Sequence, residues 1–186
     1  TSEKVATFRQ LQVKISQLAT TGGFPELSIL HNDLCVSDRI ISTGLVVDRK
    51  LSSYDSLENI SSDRHRVFKA TRDGRTFAVK EYQLLDEADR KGFEREIEIL
   101  HRIRNQFIIP VTSVFYQKTD TGFNGFVEMP FISDGSLKDW IANNHSEEEK
   151  RAMLRMIIQG VAYLHASGIL HRDLGLTNVL VERGQP

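Results

Sequence analysis

The spacing of apolar positions changes several times along the chain, and each change marks an element. Val5, Phe8, Leu11, Ile15 and Leu18 fall three and four residues apart, which predicts an amphipathic helix over about residues 3–19 that ends near Thr20-Thr21-Gly22-Gly23. Leu27, Leu30 and Leu34 after Pro25 suggest a second, short helix, and Ile40 to Val47 fits helix or strand equally. Ser52-Ser53-Tyr54-Asp55-Ser56 is polar and reads as a linker. Two β-rich runs then flank Asp73-Gly74, a dipeptide suited to the positive φ that a two-residue hairpin turn needs at both central positions. With Arg72 opposite Arg75, the facing pairs become Ala70 with Phe77, Lys69 with Ala78, Phe68 with Val79 and Val67 with Lys80, so Val67, Ala78 and Lys80 share a sheet face.

Helical spacing returns after Asp86, a capping residue, through Phe93, Ile97, Leu100 and Ile103 to about Arg104. Ile108 to Tyr116 and Phe123 to Phe131, around Asp120-Thr121-Gly122, predict a second hairpin, with Pro130 ending its use as a central strand. Ser146 with Glu149 forms a capping box for a long helix. Its stripe of Met153, Ile157, Val161 and Leu164, broadened by Leu154 and Ile158, predicts extensive burial up to Gly168. A short apolar strand, Val179-Leu180-Val181, closes the pattern.

Composition narrows this picture only modestly. The chain has 186 residues, of which 40% are hydrophobic, enough to bury a core in one or two small domains. A net charge of −1 gives no bulk electrostatic argument for nucleic acid as a partner. The single cysteine, Cys35, has no internal disulfide partner, no apolar run reaches membrane-spanning length, and the N-terminus lacks the layout of a secretion signal. A cytoplasmic protein without membrane insertion is the expectation. A start at Thr1 and an end at Pro186 suggest an excerpt of a longer chain.

Candidate chemistry begins with Glu96, which falls inside the apolar arc of its helix among Phe93, Ile99, Leu100 and Ile103. A carboxylate facing a core needs a cation, and Lys80 is the candidate. His165 and His171 lack fixed ligand geometry for a metal and read as core or loop-bracing residues.

The stretch His171-Arg172-Asp173-Leu174-Gly175-Leu176-Thr177-Asn178 resembles the catalytic loop of the protein kinases. Phe77-Ala78-Val79-Lys80 is similar to the strand motif that carries their phosphate-binding lysine, and the Lys80–Glu96 spacing matches the ion pair that holds it. The resemblance covers residues 59–186 and implies an α+β fold: a small antiparallel sheet with one helix (59–130), then a hinge and the start of a helical lobe (131–186). Residues 1–58 would form a helical extension and linker. It implies ATP and Mg²⁺ as cofactors and phosphoryl transfer to a protein Ser/Thr or Tyr hydroxyl. Asp173 would be the catalytic base, Lys80 the phosphate ligand held by Glu96, and Asn178 the Mg²⁺ ligand. Val67, Ala78, Val127, Glu128 and Met129 would line the nucleotide site, with Glu128-Met129-Pro130 as the hinge.

Thr177 leans towards the tyrosine-kinase-like serine/threonine group. Departures are equally plain: Ile60, Ser62 and His65 stand where the family's phosphate loop has glycines, Gly175 matches neither specificity class, and no Asp-Phe-Gly occurs. In that loop Arg64 or Arg66 could reach a phosphate, whereas Asp63 would repel one. The competing expectation is a pseudokinase serving as a binding or scaffold module. The 1–20 stripe is expected to dock on a partner or a second copy, and truncation is expected to expose the Met153, Ile157 and Leu164 face.

Overall fold

The computed structural model describes residues 37–61, 66–120 and 122–182. Expectations for the helix near residues 3–19, its association, and the second short helix lie outside those residues. Within them, five strands form one antiparallel sheet: β1 (Ser56–Asn59), β2 (Val67–Arg72), β3 (Arg75–Leu84), β4 (Ser113–Thr119) and β5 (Gly122–Pro130), in the spatial order β1-β2-β3-β5-β4. Two short helical pieces precede the sheet, α1 (Asp38–Ser42) and a 3₁₀ turn (Leu51–Ser53). Helix α2 (Glu87–Arg102) joins β3 to β4, and α3 (Leu137–Ile141) and α4 (Glu147–Ala166) follow β5.

The Asp73-Gly74 turn sets the sheet. Both residues have positive φ (51° and 71°), and the pairing from Arg72–Arg75 to Val67–Lys80 follows the expected register throughout. Pro130 behaves differently from the sequence reading. It stays in β5 opposite Phe77, between β3 and β4 in the sheet. Alternation explains this: the Glu128 carbonyl bonds towards β4, accepting from Thr112 N at 2.8 Å, so the Pro130 nitrogen points the same way, beyond the start of β4. No ladder donor is lost.

Both sheet faces are covered. On one, Tyr82, Leu84, Val114 and Val127 pack with Phe93 and Ile97 of α2 and with Ile40 of α1. On the other, Ala70, Val79, Phe115 and Phe126 pack with Tyr54, flanked by Val47 and Leu51. The polar stretch 52–56 is therefore no linker. Tyr54 is 7% exposed and the chain enters β1 at Ser56, because one aromatic ring outweighs its polar neighbours. The ambiguous run 40–47 divides: α1 ends at a turn, after which Val46 bridges Val114 in parallel.

A third cluster joins Leu137, Trp140 and Val181 with Met153, Ile157 and Val179. The face of α4 carrying Met153 and Ile157 is thus covered by α3 and the chain after residue 178, contrary to the expectation that it lies bare. The flank carrying Leu154 and Ile158 is the exposed one, each at 56%. Ser136 with Asp139, and Ser146 with Glu149, form the capping boxes of α3 and α4, and Gly168 (φ 73°) ends the second helix.

Candidate active site

Period-two alternation on β3 places Ala78, Lys80 and Tyr82 on the face that α2 covers, while helical periodicity turns Glu96 towards them. Lys80 Nζ lies 3.6 Å from Glu96 Oε1. The pair is partly open, with side chains 30% and 40% exposed, so the core-facing carboxylate of the sequence reading sits at a rim. Tyr82, which that reading missed, donates from its hydroxyl to the same Glu96 oxygen at 2.5 Å, and its ring lies 4.6 Å from Lys80 Nζ. Its position two residues beyond Lys80 was the available signal. Burial, then the charge and hydrogen bond of Glu96, push the Tyr82 phenol well above its usual range, so it remains a donor.

The seat of α2 depends on a missing side chain. Phe93 packs between Tyr82 (centroids 4.9 Å apart) and Tyr116 (5.6 Å), and Gly125 lies opposite both tyrosines in the sheet. A Cβ on Gly125 would stand 2.7 Å from Phe93 Cζ.

The expected nucleotide-lining residues divide. Val67 faces Lys80, and Met129 faces Ala78; all four are half-buried on the α2 side. Val127 also faces Lys80 but is 1% exposed and packed into the core. Glu128, expected to contribute its backbone to the hinge, directs its side chain elsewhere. Its carboxylate lies on the opposite sheet face, 2% exposed, and its carbonyl accepts from both Thr112 N and Thr112 Oγ1. Oε2 of Glu128 accepts from Arg49 Nη1 (2.7 Å), Arg72 Nη1 (3.1 Å) and Tyr54 Oη (2.5 Å), while Oε1 accepts from Ser113 Oγ (3.0 Å) and Thr112 Oγ1 (3.2 Å). Desolvation works to raise its pKa, but the Tyr54 and Ser113 hydrogen bonds and the two guanidinium charges outweigh it and hold the carboxyl below the usual range. Because β5 runs through Pro130, the connection between the two halves starts at Phe131.

Residues 62–65 of the expected phosphate loop lie outside the described residues. At its edges, Ser61 Oγ accepts from Val67 N at 2.8 Å, and Arg66 pairs with Glu81 at 2.7 Å on the face away from Lys80. Arg66, one of the two arginines the sequence offers for a phosphate, is thus engaged with Glu81.

The second half of the site is a loop held by main-chain bonds. Leu137 N donates to Val179 O (2.7 Å), Lys138 N to Leu176 O (3.1 Å) and Val181 N to Gly135 O (2.9 Å), tying residues 176–181 to the start of α3. Within the loop, Asn178 Nδ2 donates to Asp173 O (2.8 Å) and Asp173 Oδ2 (3.0 Å). Arg172 adopts φ 64°, a left-handed conformation disfavoured for a side chain of that size.

With its nitrogen spent on Asp173, Asn178 retains a carbonyl oxygen, a hard ligand suited to Mg²⁺. One protein oxygen fits a metal held mainly by phosphate and water. Among the described residues no group of three His, Cys, Asp or Glu could hold a metal. His165 and His171 are exposed, so of the two roles read from the sequence, core or loop-bracing, the core role is excluded.

The family profile for the protein kinase domain matches residues 64–186. A bifunctional serine/threonine-protein kinase/NEDD4-like E3 ubiquitin-protein ligase of Dictyostelium discoideum is 35% identical over 170 residues, covering 86% of this chain and 9% of that protein. Such coverage reaches into the residues before 64. NUAK family SNF1-like kinase 1 of Homo sapiens is 35% identical over 114 residues (59% of this chain, 17% of the relative), and serine/threonine-protein kinase RAD53 of Saccharomyces cerevisiae is 33% identical over 118 residues (61% and 14%). The chain thus spans 9% to 17% of these relatives' lengths. A β-hairpin lysine paired to a helix glutamate, a loop joining Asp173 to Asn178, and these matches together establish that the chain belongs to the protein kinase family.

Proposed function

We propose that this chain supplies the nucleotide-holding sheet and the catalytic loop of a kinase that transfers the γ-phosphoryl group of ATP to a serine or threonine hydroxyl of a protein. The single observation that supports it most is the Lys80–Glu96 approach at 3.6 Å, since it fixes an ammonium where phosphate oxygens can meet it. Asp173 accepts the proton of the attacking hydroxyl, the new O–P bond forms at the γ-phosphorus, and the bond to the β-phosphate oxygen breaks to release ADP. Asn178 would hold Mg²⁺ through its carbonyl oxygen, and the ion would supply charge neutralisation for the transferring group. The names of the curated relatives favour serine and threonine over tyrosine. Location in the cytoplasm and association through residues 1–20 remain part of the proposal. No helix among the described residues is long and apolar enough to cross a membrane.

A pseudokinase is the second reading, favoured by the engagement of Arg66 with Glu81 and by the missing glycines. Radiolabel transfer by the full-length protein, with Asp173→Asn and Lys80→Met beside it, tests both. Transfer that both substitutions abolish supports the kinase. No transfer, with a thermal shift on adding Mg-ATP, supports a nucleotide-binding pseudokinase, and transfer unchanged in Asp173→Asn overturns the assigned role.

A further inference from the structure

Residues 37–54 precede the family match at 64–186, yet they enter both cores of the sheet. Their course follows from a few local devices. Ser37 N donates to Glu94 Oε1 of α2 at 3.2 Å, and α1 then buries Ile40 completely against a cluster that includes Phe93 and Ile97 of α2 and Tyr82 and Val114 of the sheet. Thr43 Oγ1 donates to Ile40 O (2.6 Å) and accepts from Leu45 N (3.1 Å), and Gly44, at φ 72°, reverses the chain. The segment next runs along the edge of β4, where Val114 N donates to Leu45 O (2.8 Å) and Val47 N to Val114 O (2.9 Å). It finishes on the far face, where Arg49 and Tyr54 bind the buried Glu128 carboxylate.

We propose that residues 37–54 are a positioning strap for the phosphate-holding pair, with Ile40 keeping Glu96 at Lys80 and the Arg49–Tyr54–Glu128 clamp anchoring the strap. Two of the apolar supports of helix α2 differ in origin: the Tyr82–Gly125–Tyr116 slot that receives Phe93, and the Ile40 side chain packed in the same cluster. The sheet fixes the first. The second comes from a segment whose grip depends on the far side of the sheet. Glu128 is the natural anchor because a desolvated carboxylate satisfied by two arginines, a tyrosine and two hydroxyls leaves each of them a strong reason to stay. Withdrawing Ile40 opens space beside Phe93 and Ile97, and α2 is then free to shift and carry Glu96 with it. Ile40 is a positioning residue, since it acts through Glu96 and not on a substrate.

This inference rests on the kinase reading for its activity arm alone, so a second arm needs no activity. In the full-length protein, hydrogen exchange of α2 amides 93–100 and of β3 amides 77–81 is measured for Ile40→Ala, Ile40→Val and Arg49→Gln. Faster α2 exchange in Ile40→Ala and Arg49→Gln, with β3 unchanged and Ile40→Val close to the parent, is expected. In parallel, kcat and KM for ATP are measured with and without Glu96→Gln. Ile40→Ala should lower kcat/KM by about tenfold, the scale of a small misplacement, and should lower it no further once Glu96→Gln has broken the pair. Unchanged α2 exchange overturns the strap, as does an equal loss in the Glu96→Gln background. If Ile40→Ala does not fold, the remote Arg49→Gln carries the same comparison. If the parent transfers no phosphate, the kinase reading falls while exchange alone decides the strap.

Discussion

Glu96 Oε1 is shared: Tyr82 Oη donates to it at 2.5 Å and Lys80 Nζ approaches it at 3.6 Å. The tyrosine holds the carboxylate in place and the lysine uses the charge so placed. Because both charged side chains are partly solvated, the ion pair contributes little to stability, in the range of about 1 kcal/mol or less. Lys80→Met should therefore barely move a urea denaturation midpoint while removing most phosphoryl transfer. Tyr82→Phe should raise KM for ATP by about tenfold or more, the worth of one hydrogen bond to a charged group. A large loss of stability in Lys80→Met would show the pair to be far better shielded than its exposure indicates.

Gly125→Ala provides a steric test. The new methyl would meet the Phe93 ring at 2.7 Å, so α2 must lift or the ring must turn. Overpacking of this kind costs about 1–3 kcal/mol. Phe93→Leu, which shrinks the opposing group, should recover part of that loss, so the double substitution should be less destabilising than the sum of the two measured by thermal denaturation. Strict additivity would show that the two residues do not meet.

The Glu128 cluster predicts a pH dependence with two ends. The carboxyl is held below its usual value, so its contribution is present above about pH 4.5 and is lost as pH falls through the lowered folded value. Tyr54 is pushed up to about 12, by burial first and by the Glu128 carboxylate next. Its contribution is intact below about pH 10 and is lost as pH rises through about 12. Glu128→Gln should flatten the acid limb and, by leaving Arg49 and Arg72 without their partner, destabilise the neutral protein by about 2–4 kcal/mol. Denaturant unfolding across pH, with Tyr54→Phe as the alkaline control, checks both limbs.

The exposed flank of α4 predicts association of the 186-residue chain alone. Leu154 and Ile158 are each 56% exposed and lie one helical turn apart. Leu154→Lys with Ile158→Lys should reduce sedimenting aggregates without lowering helix content. Equal sedimentation of both forms would place the sticky surface elsewhere.

Legibility from the sequence followed the range of the interaction that carried each feature. The β2–β3 register could be counted because a two-residue turn fixes it, and the Lys80–Glu96 approach because two independent periodicities converge on it. The Glu128 side-chain cluster was not legible because its partners Arg49, Tyr54, Arg72 and Ser113 come from distant parts of the chain and leave no local pattern. Tyr54 was hidden by serines on both sides, and Pro130 was misjudged because its tolerance depends on where a neighbouring strand begins. The burial of Met153 and Ile157 required knowing that Val179 and Val181 return to α3.

The joint between residues 176–181 and α3 combines the packing of Val179 and Val181 on Leu137 and Trp140 with three main-chain bonds, Leu137 N to Val179 O, Lys138 N to Leu176 O and Val181 N to Gly135 O. The Lys138 N to Leu176 O bond uses only the backbone of residue 176, so it makes no demand on the side chains at 175 and 176. Gly175 illustrates this freedom, since a Cβ there would meet only Asn178 Nδ2 at 3.9 Å, an ordinary contact. Residue 175 is therefore under no steric compulsion to be glycine, and a Cβ there leaves the Asp173–Asn178 contact in place.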